Sequence, residues 1–157
     1  MHYASGFTVA LLLVFCKCYY VGMKRNKKIA RSDCPINFAQ EIFGDKWSLL
    51  IIRDLLFKGK KYYSEFLNSD EKISTNILAS RLGQLETDGL ITKAIDSDNN
   101  AKKIYALSQK GIDLLPMLLE MIAWSAKYDD ETGTPAEFIR QLEDDKESLI
   151  RDLIAAL

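Results

Sequence analysis

The chain has 157 residues, 48% of them hydrophobic and 27% charged, with a formal net charge of −1. This is the balance of one ordinary globular domain, with or without an appended arm, and it excludes long disorder. The charge is unevenly placed: residues 129–157 hold nine acids against three bases, while residues 1–128 hold 18 bases against 13 acids, a balance of +5. That asymmetry points to a basic working surface and an acidic tail directed elsewhere.

Three cysteines, Cys16, Cys18 and Cys34, make no disulfide framework, and the odd count fits a reducing, cytoplasmic setting. Cys16 and Cys18 lack the spacing of a structural zinc site, and His2 is the sole histidine, so no metal is expected. An enzyme is equally disfavoured. Catalysis through Cys34 would want a histidine base, and there is no glycine-rich phosphate loop, so no cofactor is expected either.

Residues 7–16 are an unbroken apolar run, too short to span a bilayer core of roughly 30 Å. Residues 1–22 are read as an upstream translation or non-native apolar segment, with Met23 as the biological start and 23–33 as a basic arm. No stable membrane association is expected; the rival is a tethered regulator held by the positive-inside rule.

A first helix is predicted over 35–43, with Pro35 in its first turn and Gly44 after it. Asp45 suits the N-cap of a second, in which Trp47, Leu50, Ile51 and Leu55 share a face. A third covers 63–68, packing Phe66 and Leu67. Ser74 caps a fourth with an inner stripe of Leu78, Leu82 and Leu85. Its outer face, Thr75, Asn76, Ser80, Gly83, Gln84 and Thr87, is polar and almost uncharged.

The period then changes to about two, predicting a β-hairpin of 91–96 and 103–107 around an Asp- and Asn-rich turn. Ser108 caps a long helix with Ile112, Leu115, Leu119, Ile122, Ala123 and Tyr128 on one face. The segment Gly133-Thr134-Pro135 breaks it, and 136–157 is predicted as one last amphipathic helix. The class is mainly α with a small two-stranded antiparallel hairpin. A hairpin after a helix-turn-helix pair is the winged-helix arrangement.

Several segments together carry a resemblance: Cys34-Pro35, Gly44-Asp45-Lys46-Trp47, Tyr63-Ser64-Glu65-Phe66, Ile73-Ser74-Thr75-Asn76, Leu85-Glu86-Thr87-Asp88-Gly89-Leu90-Ile91 and Tyr105-Ala106-Leu107-Ser108, with Gly111 and Pro116. In this order and spacing, residues 34–128 resemble the HxlR-type winged helix-turn-helix regulators of bacteria, relatives of the MarR group. The resemblance implies a cytoplasmic homodimer on an operator, probed by the fourth helix in the major groove and by the wing on the backbone or minor groove. It also implies dimerisation through the first and last helices, and repression or activation of nearby genes, with repression expected. One departure is the wing, which carries no proline and reads Asp96-Ser97-Asp98-Asn99-Asn100-Ala101-Lys102-Lys103.

The residue types suit duplex DNA. Asn76 can pair bidentately with adenine, and Ser74, Thr75, Ser80 and Gln84 can reach bases or phosphates. Arg81 either contacts phosphate or pairs with Glu86 or another acid. Lys58, Lys60 and Lys61 before the third helix, and Lys102 and Lys103 on the wing, are candidates for phosphate. A twofold dimer would read half-sites about one helical turn apart on a near-palindromic operator.

In the tail, 134–157, Phe138, Ile139, Leu142, Leu149, Ile150, Leu153 and Ile154 form an apolar face expected to bury against a partner subunit, or else on its own domain. Cys34, beside a helix N-terminus and near Lys27, Lys28 and Arg31, is a candidate redox sensor or an inert buried thiol. Trp47, Tyr62, Tyr63, Trp124 and Tyr128 either pack in the core or line a site for a small-molecule effector. The alternative function is a winged-helix protein-interaction module without DNA binding.

Overall fold

The computed structural model of the protein describes residues 31–157. The readings made of residues 1–22, of Cys16 and Cys18, and of most of the basic arm, Lys27 and Lys28 included, lie outside the described residues. The chain divides into one unit ending at Gly44 and a second, Asp45–Leu157.

In the first unit, α1 (Pro35–Phe43) begins with its proline in the first turn and Cys34 extended at the N-cap. The Phe38 amide donates to the Cys34 carbonyl at 3.0 Å, and the Gly44 amide closes the helix on Gln40.

The second unit opens on Asp45, whose carboxylate accepts the amides of Trp47 and Ser48 at 2.8 and 3.1 Å and so starts α2 (Ser48–Phe57). Burial alone would raise this carboxyl, but the hydrogen bonds from Ser48 and Trp47, with Arg81 nearby, hold it below the ordinary range. Ile51, Ile52, Leu55 and Leu56 of α2 are buried. The Glu65 carboxylate reaches back to the amides of Lys61 and Tyr62 at 2.7 and 2.8 Å, fixing the entry to α3 (Tyr63–Leu67). Its Phe66 is 1% exposed and meets Tyr105 edge-on, with ring centroids 6.1 Å apart.

The fourth helix, α4 (Thr75–Thr87), buries the predicted stripe Leu78, Leu82 and Leu85. Ser74 is its N-cap, but the hydroxyl makes no capping bond. At the other end Gly89 turns left-handed at φ 71°, and the Leu90 and Gly89 amides return to the carbonyls of Leu85 and Glu86. This is a Schellman motif, which places Leu85 and Leu90 together in the core.

Strands β1 (Ile91–Ile95) and β2 (Lys103–Leu107) pair antiparallel, with Ile91 opposite Leu107 and Ile95 opposite Lys103. Asp96 ends the first strand one residue before the predicted boundary, its carboxylate taking the Asp98 amide at 2.9 Å and the Tyr62 hydroxyl at 2.8 Å. Only Ile91 of β1 is buried, so the hairpin leaves the core as a ribbon. A feature beyond the sequence reading is a rudimentary third strand. Tyr62 bridges Ile104, and the Tyr105 amide donates to the Lys61 carbonyl at 2.8 Å, so the 58–62 turn and the wing form one piece.

The predicted long helix after Ser108 is instead two. Ser108 caps the short α5 (Gln109–Ile112) through the Gly111 amide, and α6 (Leu115–Tyr128) follows with Pro116 in its first turn. Pro116 has no amide to offer the Ile112 carbonyl, and its ring excludes a continuous helix there. The tail also departs from one helix: α7 (Ala136–Asp144) and α8 (Lys146–Ala155) break at Asp145, whose side chain caps the second through Ser148 at 2.9 Å. Its apolar face is largely covered by the same subunit, with Leu142 and Leu149 buried and Phe138 edge-on to Phe57 at 6.4 Å. Trp124 and Tyr128 take neither role foreseen for them. Both are exposed at the surface, rings 5.2 Å apart.

Candidate nucleic-acid interface

The helix-turn-helix pair is α3 and α4, clamped where the Tyr63 hydroxyl donates to the Thr75 carbonyl at 2.7 Å. Because Leu78, Leu82 and Leu85 bury one side of α4, the opposite side is presented to solvent. Ser74, Thr75, Asn76, Ser80 and Gln84 are all exposed there. Asn76 and Ser80 keep both donors and acceptors available. The Gln84 amide is turned toward Asp88 at 3.0 Å, at the far end of the helix. Ile77, 39% exposed on the flank of the same face, was not singled out from sequence; an apolar residue there suits contact with a thymine methyl.

Arg81 takes the second of its two readings. Its guanidinium approaches Asp45 at 3.4 Å, and its Nε is buried without a hydrogen-bond partner. Glu86, the other acid considered, pairs instead with Lys93 at 2.6 Å, joining α4 to the wing.

The lysines of the 58–62 turn separate sharply. Lys60 is half-buried, and its ammonium donates to Asp54 and Ser69, each at 2.7 Å. It holds the turn rather than standing free at the surface, a correction to its reading as a phosphate contact. Lys58 lies 3.6 Å from Asp70 and 3.9 Å from Asp54. Lys61 and Lys102 approach the Tyr62 ring at 5.7 and 5.2 Å, and with Lys103 they form no ion pair among the described residues. Lys72, missed earlier, is exposed in the turn before α4 at φ 54°; its position two residues ahead of Ser74 was the available signal.

Asp54 organises this end of the domain. It is 2% exposed and accepts from Lys60, from Ser69 at 2.6 Å, and from Arg53 at 2.6 and 2.9 Å. Burial by itself would raise the carboxyl, but these donors outweigh it and hold it below the usual range. Arg53 also grips Glu71, so α2, the 58–62 turn and the loop after α3 share one ionic knot. The surface that results is a neutral polar helix face flanked by exposed cations, which suits base edges in the middle and phosphates at the sides.

Cys34 is exposed. The Arg31 guanidinium, expected to bear on it, pairs with Glu41. Among the described residues no cluster of side chains could hold a metal ion, and no helix is long and apolar enough to cross a membrane.

Comparison with known proteins bears on the family and the fold. Residues 42–133 match the family described as HxlR-like helix-turn-helix. The chain is 33% identical over 127 residues to YdeP, an HTH-type transcriptional regulator of Bacillus subtilis strain 168, covering 76% of this chain and 98% of that one. Among solved structures, the redox regulator HypR in its oxidised form is similar with a TM-score of 0.54 and 28% identity, over 60% of this chain and 96% of HypR. The quinone-bound YodB from B. subtilis gives a TM-score of 0.51 and 31% identity, over 60% of this chain and all, 100%, of YodB. On fold, sequence and the order of its motifs, the chain belongs to the HxlR-like helix-turn-helix family of transcriptional regulators.

Proposed function

We propose that the protein is a sequence-specific repressor that binds near-palindromic operators as a homodimer. The carrying observation is the exposed polar face of α4, with Asn76 and Ser80 unengaged between flanking lysines. In this reading Ser74, Thr75, Asn76, Ser80 and Gln84 address the major groove, while Lys61, Lys102, Lys103 and Lys72 grip phosphates. Three or four phosphates per subunit make about six to eight per dimer, and a log–log salt slope of about −5 to −7. Gel shift on the protein's own upstream region, repeated across salt, tests this; a slope near zero defeats it.

The interface we propose for the dimer is the outer side of α6, where Met121, Trp124 and Tyr128 recur at helical spacing and are 45%, 65% and 65% exposed. Light scattering of the purified protein distinguishes dimer from monomer.

Cys34 is the proposed point of redox or electrophile sensing. Support comes from its exposure at the N-cap of α1 and from the similarity to HypR, a redox regulator, and to YodB, seen with quinone bound. If the Cys34→Ser protein releases its operator under oxidant as the wild type does, the thiol is not the sensor.

A further inference from the structure

At the outer end of the wing the usual placement of side chains is inverted. Ile95, the last residue of β1, is 67% exposed, while Asp96, which follows it, is 5% exposed. Leaving an isoleucine in water and burying a carboxylate both run against solvation, and such paired violations of a local rule mark surfaces kept for contact. We propose that Ile95 is an apolar wedge for the minor groove beside the major groove addressed by α4. There it partly unstacks a pyrimidine–purine step, TA or CA/TG, and bends the duplex. This wedge presupposes the DNA-binding reading and adds to it what the wing selects.

Strand alternation gives the direction. Ile91, Lys93 and Ile95 share one face of the ribbon, with Leu107, Tyr105 and Lys103 opposite them in register. This face is turned toward the helix-turn-helix pair: Ile91 is buried, Tyr105 meets Phe66 edge-on, and the Lys93 ammonium reaches Glu86 of α4 at 2.6 Å. Ile95 continues the row beyond Lys93. Four strand steps carry it about 13 Å from Ile91, on the scale of the major-groove width of about 12 Å. The end of the ribbon thus comes to the strand bounding that groove and to the minor groove past it.

The wedge is anchored from behind. The Asp96 carboxylate takes the Tyr62 hydroxyl at 2.8 Å and the Asp98 amide at 2.9 Å, and the Asp96 amide donates to the Lys102 carbonyl at 3.0 Å. Burial of Asp96 therefore fixes the backbone beside Ile95 to the 58–62 turn, which lowers the cost of ordering it on DNA. Lys103 lies across the ladder, and Lys102 stands over the Tyr62 ring at 5.2 Å; both are exposed, and cations on either side of an apolar tip suit the phosphates bordering a groove. Asp98, exposed on the loop beyond, would meet phosphates unfavourably, so the face of the ribbon rather than its loop approaches the duplex. An aliphatic side chain makes no hydrogen bond to base edges. What it can select is deformability, and pyrimidine–purine steps unstack most easily.

The test uses full-length protein in gel shifts on its own upstream region. Circularly permuted copies of the bound fragment report bending, and permanganate reports unstacked thymines, which both kinds of step contain. Wild type is expected to bend the fragment and to make a thymine reactive in each half-site. Ile95→Ala should weaken binding about ten-fold, the scale of one apolar side chain withdrawn from water, and should lose both signals. Its salt slope should match the wild type because no cation is removed, whereas Lys103→Gln should make the slope shallower by about two per dimer. Ile95→Leu, still apolar, should keep the bend. Reversing the reactive step, TA to AT or CA to AC, should weaken wild type about ten-fold and Ile95→Ala hardly at all.

If Ile95→Ala binds, bends and exposes thymine as wild type does, the wedge is overturned and the DNA reading stands. Weaker binding with the bend and the reactive thymine retained also overturns it. So does dissociation of a dimer by Ile95→Ala in light scattering, which would assign the side chain to a second copy. A wild type that fails to shift the fragment overturns the DNA reading, and the wedge falls with it.

Discussion

Replacing Asp54 by Asn keeps the shape of the side chain and removes its charge, in a site 2% exposed where Lys60, Ser69 and Arg53 all donate to it. Removing one member of a buried ionic group costs about 3–5 kcal/mol, because the remaining charge is left unpaired. Here the cations have partial relief: Lys60 is 16% exposed, and Arg53 keeps Glu71. The expected loss is therefore near the lower end, about 3 kcal/mol, against a total stability of about 5–15 kcal/mol. In a chain of this size that lowers the melting temperature by about 6–12 °C near neutral pH, measured by calorimetry. The pH dependence gives an independent check. The folded carboxyl is held below its unfolded value, so its contribution is complete above the unfolded carboxylate range, near pH 4, and is lost as pH falls through the lower folded value. Wild type should lose stability across that acid window more steeply than Asp54→Asn. A melting temperature within about 2 °C of wild type, or parallel acid profiles, would show that the knot does not hold the turn.

Asn76→Ala should cost about 1–3 kcal/mol on the best operator and relax preference at one base pair per half-site, read by competition among single-base operator variants. Trp124→Glu places a charge in the apolar stripe of α6 and should yield monomer by light scattering, with the melting behaviour of the subunit core retained because the residue is 65% exposed. Gly89→Ala must hold a β-carbon at φ 71°, a left-handed conformation costing about 1–2 kcal/mol, and should lower the urea midpoint without changing its slope.

Element order was legible because punctuation and period agree: Pro35 opens α1, Gly89 follows α4, and the period shifts from helical to alternating at Ile91. Two helix breaks were not, for one reason. Ile112, Leu115 and Leu119 keep helical phase across the gap between α5 and α6, and Leu142 and Leu149, seven residues apart, keep it across Asp145. Periodicity reports a shared buried face, and a helix interrupted without losing phase presents the same face. Pro116 was the local cue, but a proline inside a pattern and a proline opening a new helix look alike until the carbonyl before it is placed.

The reading face of α4 was legible for the complementary reason. Once three leucines define the buried side, geometry alone assigns Asn76 and Ser80 to the other. The cations follow no such rule. Lys58, Lys60 and Lys61 lie within four residues and meet three different fates, decided by partners remote in sequence. Gly59, left-handed at φ 59°, folds the chain back so that the Lys60 amide and ammonium both reach Asp54. That reversal leaves Lys61 on the outside, tied by its backbone to the wing, with its ammonium over the Tyr62 ring. A composition of basic residues thus becomes an interface through one turn: the inner lysine supplies rigidity, and the outer one stays at the surface, where in the proposed reading it meets a phosphate of DNA.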